Sequence, residues 1–139
     1  MQFCTFFLNE IYFGIDVMQV QEVIRYQETT PVPLCANYIR GLINLRGQII
    51  TVIELKRRLE MNQEITTEEA SFNIILENHT QPVSLLVDKM GDVVEVDDKD
   101  FEPTPATLKG KISQMLYGAY KFENEFLLIL DVEKILVNT

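Results

Sequence analysis

Apolar residues in this chain either alternate with polar ones or run in short continuous stretches, and a period of two dominates over one of 3.6. Phe3 to Leu8, Ile11 to Ile15, Gln48 to Ile53, Phe72 to Leu76, Val83 to Val87, Val93 to Val96, Met115 to Phe122 and Phe126 to Leu130 are short and rich in β-branched or aromatic residues. Such segments predict strands. Hairpin turns are expected at Asn9-Glu10, Asn78-His79-Thr80 and Glu123-Asn124-Glu125, with looser breaks around Gly14, Gly91, Gly110 and Gly118. Helix is confined to short pieces: Asp16 to Gln21 with Asp16 as N-cap, Leu55 to Leu59, and Asp131 to Leu136. The expected fold class is all-β.

A weak internal repeat refines that expectation. Val52-Ile53-Glu54-Leu55-Lys56-Arg57-Arg58-Leu59 can be laid over Ile129-Leu130-Asp131-Val132-Glu133-Lys134-Ile135-Leu136, each an apolar strand end, an acidic cap and a turn of helix closing on leucine. Gly14-Ile15-Asp16-Val17-Met18 resembles Leu86-Val87-Asp88-Lys89-Met90 in the same way. The repeat predicts two small β-barrels, each closed by a short helix. Barrels of this size hold little core individually, so they are expected to lean on each other through a shared apolar seam. With 139 residues the chain is expected to form one domain over 1–139, its two subdomains dividing near residues 60–70 and a terminal strand free to cross over.

The composition, 47 % apolar and 24 % charged, is that of a folded domain. A net charge of −9 argues against nucleic acid as a partner, and Lys56-Arg57-Arg58 is the only tight basic cluster. There is no apolar run of membrane-spanning length and no signal-peptide pattern at Met1 to Asn9, so a cytoplasmic location without membrane insertion is expected. Cys4 and Cys35 are then two reduced thiols, and a single histidine makes a zinc site unattractive. His79 falls in a turn. Asp97-Asp98-Lys99-Asp100-Phe101-Glu102 has the carboxylates of a calcium loop, but Pro103 stands where the sharp-turn glycine belongs and Lys109 replaces the terminal glutamate, so it reads as a solvated acidic loop. No phosphate-cradling glycine loop, serine elbow or Cys-His pairing occurs. No enzyme, cofactor or metal is therefore expected.

Chemistry is better sought at Asn44-Leu45-Arg46-Gly47. Apolar sequence breaks there for one charged turn, between Tyr38-Ile39-Arg40-Gly41-Leu42-Ile43 and Gln48-Ile49-Ile50-Thr51-Val52-Ile53. The plain reading is a hairpin corner with a solvated arginine; the functional one is a turn held in place for Arg46.

The ordered series Tyr12-Phe13-Gly14-Ile15-Asp16, Val20-Gln21-Glu22-Val23, Pro33, Gly41-Leu42-Ile43-Asn44-Leu45-Arg46-Gly47, Val52-Ile53-Glu54-Leu55, Leu86-Val87-Asp88, Asp92-Val93-Val94 and Leu128-Ile129-Leu130-Asp131-Val132-Glu133-Lys134 closely resembles the CheW-like coupling proteins of bacterial chemotaxis. The resemblance spans essentially the whole chain. It implies two SH3-like five-stranded barrels around a common hydrophobic core. It also implies a non-catalytic adaptor, bridging the cytoplasmic tip of methyl-accepting chemoreceptors to the regulatory domain of a CheA-type histidine kinase within membrane-associated receptor arrays. In such proteins a groove between the barrels takes the receptor's helical hairpin, and the matching positions are Val20, Glu22, Gly41, Arg46, Met90 and Val93. That is helix-in-groove recognition, with apolar area from the valines and methionine and orientation from the charged pair. Val20, Met90 and Val93 have an alternative reading as ordinary core.

Departures from the family pattern are chemically mild: Thr51 for the usual proline, Glu54 for aspartate, Glu60 for a helix-ending glycine, Ser84 for glycine, and a short span from Phe101 to Lys111. They leave open a related kinase pathway governing pili, gliding or surface sensing. From a different class, a small-molecule-binding barrel predicts an enclosed pocket at the seam, where the adaptor predicts an open groove with Arg46 at its rim.

Overall fold

A computed structural model describes residues 1–61, 71–77, 81–105, 108–122 and 124–137. In chain order the described elements are β1 (Gln2–Leu8), β2 (Ile11–Asp16), β3 (Val20–Arg25), β4 (Ile39–Leu45), β5 (Gln48–Glu54), α1 (Leu55–Arg58), β6 (Phe72–Leu76), β7 (Val83–Val87), β8 (Lys89–Glu95), β9 (Phe101–Glu102), α2 (Lys111–Met115), β10 (Leu116–Phe122), β11 (Glu125–Leu130) and α3 (Val132–Leu136). They form two sheets, ordered β8-β1-β2-β11-β10-β9 and β3-β6-β7-β5-β4. The larger sheet adds the two-residue β9 to the five strands expected.

Both sheets owe their connectivity to the repeat. β2 runs parallel to β11, with Phe13 opposite Leu128, and β7 runs parallel to β5, with Leu85 opposite Ile53. Each parallel pair therefore joins a first arm of one repeat to the second arm of the other. Thr30, just past β3, exchanges backbone hydrogen bonds with Leu42 of β4 at 2.8 Å, which draws the two edges of the smaller sheet together into a barrel.

Successive residues of the central strands face different cores. Leu127 and Ile129 pack inside one barrel with Phe3, Val94 and Tyr120, whereas Leu128 and Leu130 face a larger cluster shared with the other barrel. Ile50, Val52, Ile75 and Leu86 fill the interior of the smaller barrel, while Ile53, Ile74, Leu85 and Val87 turn to the shared seam. Strands buried on both faces explain why these segments read as continuous apolar runs. Phe6, Leu8, Phe13 and Ile15 complete the seam, with Leu55, Leu59 and Ile135 from α1 and α3. Cys4 also lies in it, and burial pushes its thiol pKa up, whereas Cys35 is an exposed free thiol.

The basic cluster of the sequence is consumed internally. Lys56, 2 % exposed, lies 2.7 Å from Asp88, whose other oxygen accepts from the Asn9 backbone at 2.9 Å. Arg57 pairs with Glu54 at 3.1 Å. Arg58 donates to the carbonyls of Ile135, Lys134 and Val137 at 2.8, 3.1 and 3.1 Å, closing the C-terminus of α3 while stacking on Tyr38. α1 itself ends in a Schellman arrangement, Glu60 N to Arg57 O at 3.0 Å and Met61 N to Lys56 O at 2.9 Å, with Glu60 at φ 53°. The residue standing where the family often has glycine thus occupies a glycine conformation. Thr51, in place of proline, uses the amide that proline lacks, donating to Pro82 O at 3.2 Å. Ser84 donates to Asn73 Oδ1 at 2.7 Å inside the smaller barrel. Glu54 makes no side-chain cap on α1, whereas Asp131 caps α3.

Some expectations need correction. The helix placed over Asp16 to Gln21 is a single 3₁₀ turn at Val17–Gln19, capped by Asp16, and Val20 and Gln21 already belong to β3. The inward positions of β3 include Glu22, which blurs the alternation that announces a strand. Gly14, Gly91 and Gly118 are not breaks but lie within strands. A Cβ on Gly91 would stand 2.4 Å from Thr5 Oγ1, and one on Gly118 2.5 Å from the Phe101 ring, so both admit a neighbour. The acidic loop carries a 3₁₀ turn at Asp98–Asp100 and then β9, and α2 follows Gly110 unannounced. The turn at Asn78-His79-Thr80, the stretch 62–70 and Glu123 lie outside the described residues.

Urea unfolding of four sets of variants tests this account. Gly41 has φ 149° and a Cβ there would stand 2.4 Å from Thr30 O, so Gly41→Ala is expected to cost on the order of 3 kcal/mol. Gly47 has φ 85° with open space around it, so Gly47→Ala is expected to cost only about 1 kcal/mol. Lys56→Met strands the Asp88 carboxylate and is expected to cost about 3 kcal/mol, with much of that recovered in Lys56→Met/Asp88→Leu. Glu60→Gly relieves a left-handed residue and is expected to stabilise by about 1 kcal/mol.

Candidate functional site

All six candidate residues lie on edge strands or on the turn that leaves one. β3 and β4 are the edges of the smaller sheet and β8 is an edge of the larger. Edge strands present unpaired backbone and one free flank, and proteins commonly blunt them with bulges. Each of these three does so: register shifts fall between Val20 and Glu22, between Ile39 and Gly41, and opposite Cys4 and Phe6 on β8. At the last, the Thr5 hydroxyl donates to the Asp92 carbonyl. A bulge bends its strand and re-aims the side chains beside it.

Arg46 and Gly47 form the two-residue turn between β4 and β5, both at positive φ, 52° and 85°. Leu45 and Gln48 close the hairpin, and Asn44 Oδ1 accepts from Gly47 N at 3.0 Å. This is the primed turn that matches strand twist, and a residue other than Asn, Asp or Gly at its first position is unusual. The turn aims the Arg46 guanidinium at Glu22, and its Nη2 donates to Glu22 Oε1. The Arg46 side chain is still 67 % exposed, against 29 % for Glu22. One donor of a five-donor fork is therefore committed, and most of the fork faces solvent. The tetrapeptide is a hairpin corner whose arginine pairs with Glu22 and otherwise faces solvent.

Glu22 shares its face of β3 with Ile24, whereas the bulge turns Val20, opposite Leu76, to the other face. Ile24 packs on the interior cluster of the smaller barrel, and Val20 on the seam cluster. On β8, Met90 packs on the same seam cluster, while Val93 is 56 % exposed and its neighbour Val94 is buried in the larger barrel. The six residues thus fall into a charged group, Glu22 and Arg46, and an apolar group in which Val20 and Met90 meet a common core and Val93 stands free. Gly41 is set apart, because its lack of a side chain serves the close approach of Thr30. Met90 and Val93 belong to the larger sheet, whereas the Arg46–Glu22 pair belongs to the smaller.

Periodicity did not single out Met18. It is 79 % exposed on the 3₁₀ turn leading into β3, and an apolar side chain that exposed, next to an edge strand, is the only signal it carries. Of the polar groups near the sheets, Tyr120 has its phenol pushed up in pKa, chiefly by burial and then by the charge of Asp98. It belongs to the packed interior of the larger barrel and not to this surface.

Among known proteins, Chemotaxis protein CheW from Bacillus subtilis (strain 168) is 32 % identical over 132 residues, covering 95 % of this chain and 84 % of that protein. Chemotaxis protein CheW from Treponema pallidum (strain Nichols) is 28 % identical over 137 residues, covering 96 % of this chain and 81 % of that protein. The crystal structure of a CheW scaffolding protein from Thermoanaerobacter tengcongensis superimposes with a TM-score of 0.86 at 30 % identity, covering 99 % of this chain and 93 % of that one. Residues 2–139 match the CheW-like domain, and the chain belongs to that family.

Proposed function

We propose that this chain is a non-catalytic adaptor of a chemosensory array. It couples the cytoplasmic tip of methyl-accepting receptors to the regulatory domain of a CheA-type histidine kinase, and is recruited from the cytoplasm to those membrane-associated arrays. The observation that carries this reading is the Arg46–Glu22 pair: an exposed guanidinium fixed by a carboxylate of an edge strand, with most of its donors facing solvent. A receptor helix laid along this surface would cover the apolar group and offer carboxylates or carbonyls to the free donors of Arg46. The names of the relatives, chemotaxis and scaffolding proteins, support the same role. Among the described residues no helix is long and apolar enough to cross a membrane.

The small-molecule reading has less support. The interiors of both barrels are filled by their own side chains, and the clefts around them are open ones. A kinase pathway with an output other than swimming uses the same surfaces and is distinguished by the partner.

The test is co-migration on size exclusion with the kinase regulatory domain and a receptor-tip fragment, followed by titration of variants. Arg46→Ala removes an exposed side chain whose ion pair is worth at most about 1 kcal/mol to folding. It is expected to weaken receptor-tip binding by about 10- to 100-fold, the equivalent of one or two charged hydrogen bonds. Val93→Asp is expected to do the same with the melting temperature unchanged, whereas Val20→Asp also costs stability because Val20 packs on the seam. Unfolding of Arg46→Ala, or unaltered binding by both exposed-site variants, would overturn the reading.

A further inference from the structure

We propose that the cleft between α1, α2 and α3 is a second binding site, which takes a short acidic peptide segment carrying an apolar residue between its carboxylates. The cleft is open to solvent, has a volume of about 450 Å³ and lies on residues distinct from the Arg46–Glu22 surface. Three cations line it, Arg58, Lys111 and Lys134, in a protein whose net charge is −9. No carboxylate side chain is among the described residues of its wall.

The concentration matters because most other basic side chains are already answered. Arg40 and Arg57 face Glu54, Arg46 faces Glu22, Lys56 faces Asp88 and Lys99 faces Asp97. Lys111 and Lys134 make no such ion pair among the described residues. Arg58 is 8 % exposed and pinned by three carbonyls of α3, so its charge is fixed in the cleft floor without further loss of side-chain freedom on binding. Cations gathered in one concavity, on a body that is otherwise acidic, select a negatively charged ligand.

The rest of the wall decides what kind of anion. Tyr38, Met115 and Val137 present apolar surface, and the Gln114 amide supplies a neutral donor and acceptor. Inorganic phosphate would leave the apolar wall uncovered. A long polyanion such as nucleic acid would meet repulsion from the acidic body beyond the cleft. An acidic segment with one leucine-sized side chain matches both halves, its carboxylates on Lys111 and Lys134 and its apolar group against Met115 and Val137.

The experiment is titration of the ¹⁵N-labelled full chain with acetyl-Glu-Leu-Glu-amide, beside acetyl-Gln-Leu-Gln-amide and inorganic phosphate. The acidic peptide is expected to shift the amide resonances of Lys111, Gln114, Lys134 and Val137. The neutral analogue should bind about tenfold more weakly or not at all, consistent with loss of two charge-assisted contacts. Raising salt to about 1 M, where the Debye length is about 3 Å, should abolish the shifts. Lys111→Glu/Lys134→Glu should abolish them at ordinary salt. Lys134→Ala, which truncates an exposed side chain, should weaken them severalfold and carries the test alone if the double variant does not fold. Equal binding of the neutral analogue, saturation of the same resonances by phosphate at the same concentration, or shifts confined to other surfaces would each overturn the proposal.

Discussion

Neither sheet of this protein can bury its apolar strands by itself, and the seam between them is the constraint on which everything else rests. Leu128 and Leu130, Leu85 and Val87, Phe6 and Phe13 all leave their own barrels to meet there. The parallel pairs β2 with β11 and β5 with β7 make the arrangement mutual, because each half of the repeat completes the sheet of the other. Hydrophobic area supplies the attraction, but it is non-directional. Direction comes from a few buried polar ties: Lys56 to Asp88, Asp88 to the β1–β2 turn, and Arg58 to the end of α3.

This division of labour leaves the edges free. The strands that carry interior burden on both faces are central, while β3, β4 and β8 lie at edges and bear three of the four register shifts, the fourth falling in β10. An exposed side chain on these edges can then vary without touching the seam. Arg46 illustrates the separation, since its guanidinium is displayed by a turn whose geometry depends on Gly47 and Asn44 and not on the core. Val20 and Met90 do not enjoy the same independence, because one side of each is already committed to the common core.

The elements most readable in sequence were those whose pattern has one physical cause. Phe72–Leu76 and Val83–Val87 are buried strands bounded by polar turns, and their limits agree with the apolar runs; α1 and α3 follow from the strand-cap-helix repeat. β3 escaped because Glu22 interrupts its inward face, and β4 because Arg40 and Gly41 interrupt its apolar run. The glycines misled, since a missing side chain marks a break in one place and the room required by Thr5 or Phe101 in another. Of the candidate site, the Arg46 turn was legible from its charge alone. Its pairing with Glu22 was not, because it depends on how far the smaller sheet curls. The basic triplet Lys56-Arg57-Arg58 reads as surface by charge yet lies largely inside, where partners from distant strands await it.

The exchange of strands between repeat halves also bears on how the molecule comes into being. All strands of the smaller sheet lie between Val20 and Val87, so on a ribosome that sheet has its full complement well before synthesis ends. The larger sheet does not. Its first hairpin, β1 with β2, must wait for β11 at the far end of the chain, with Phe6, Phe13 and Ile15 still lacking the seam strands of β11. Until β11 is made, that apolar edge of β2 stays unpaired, and pairings this distant in sequence are slow to form.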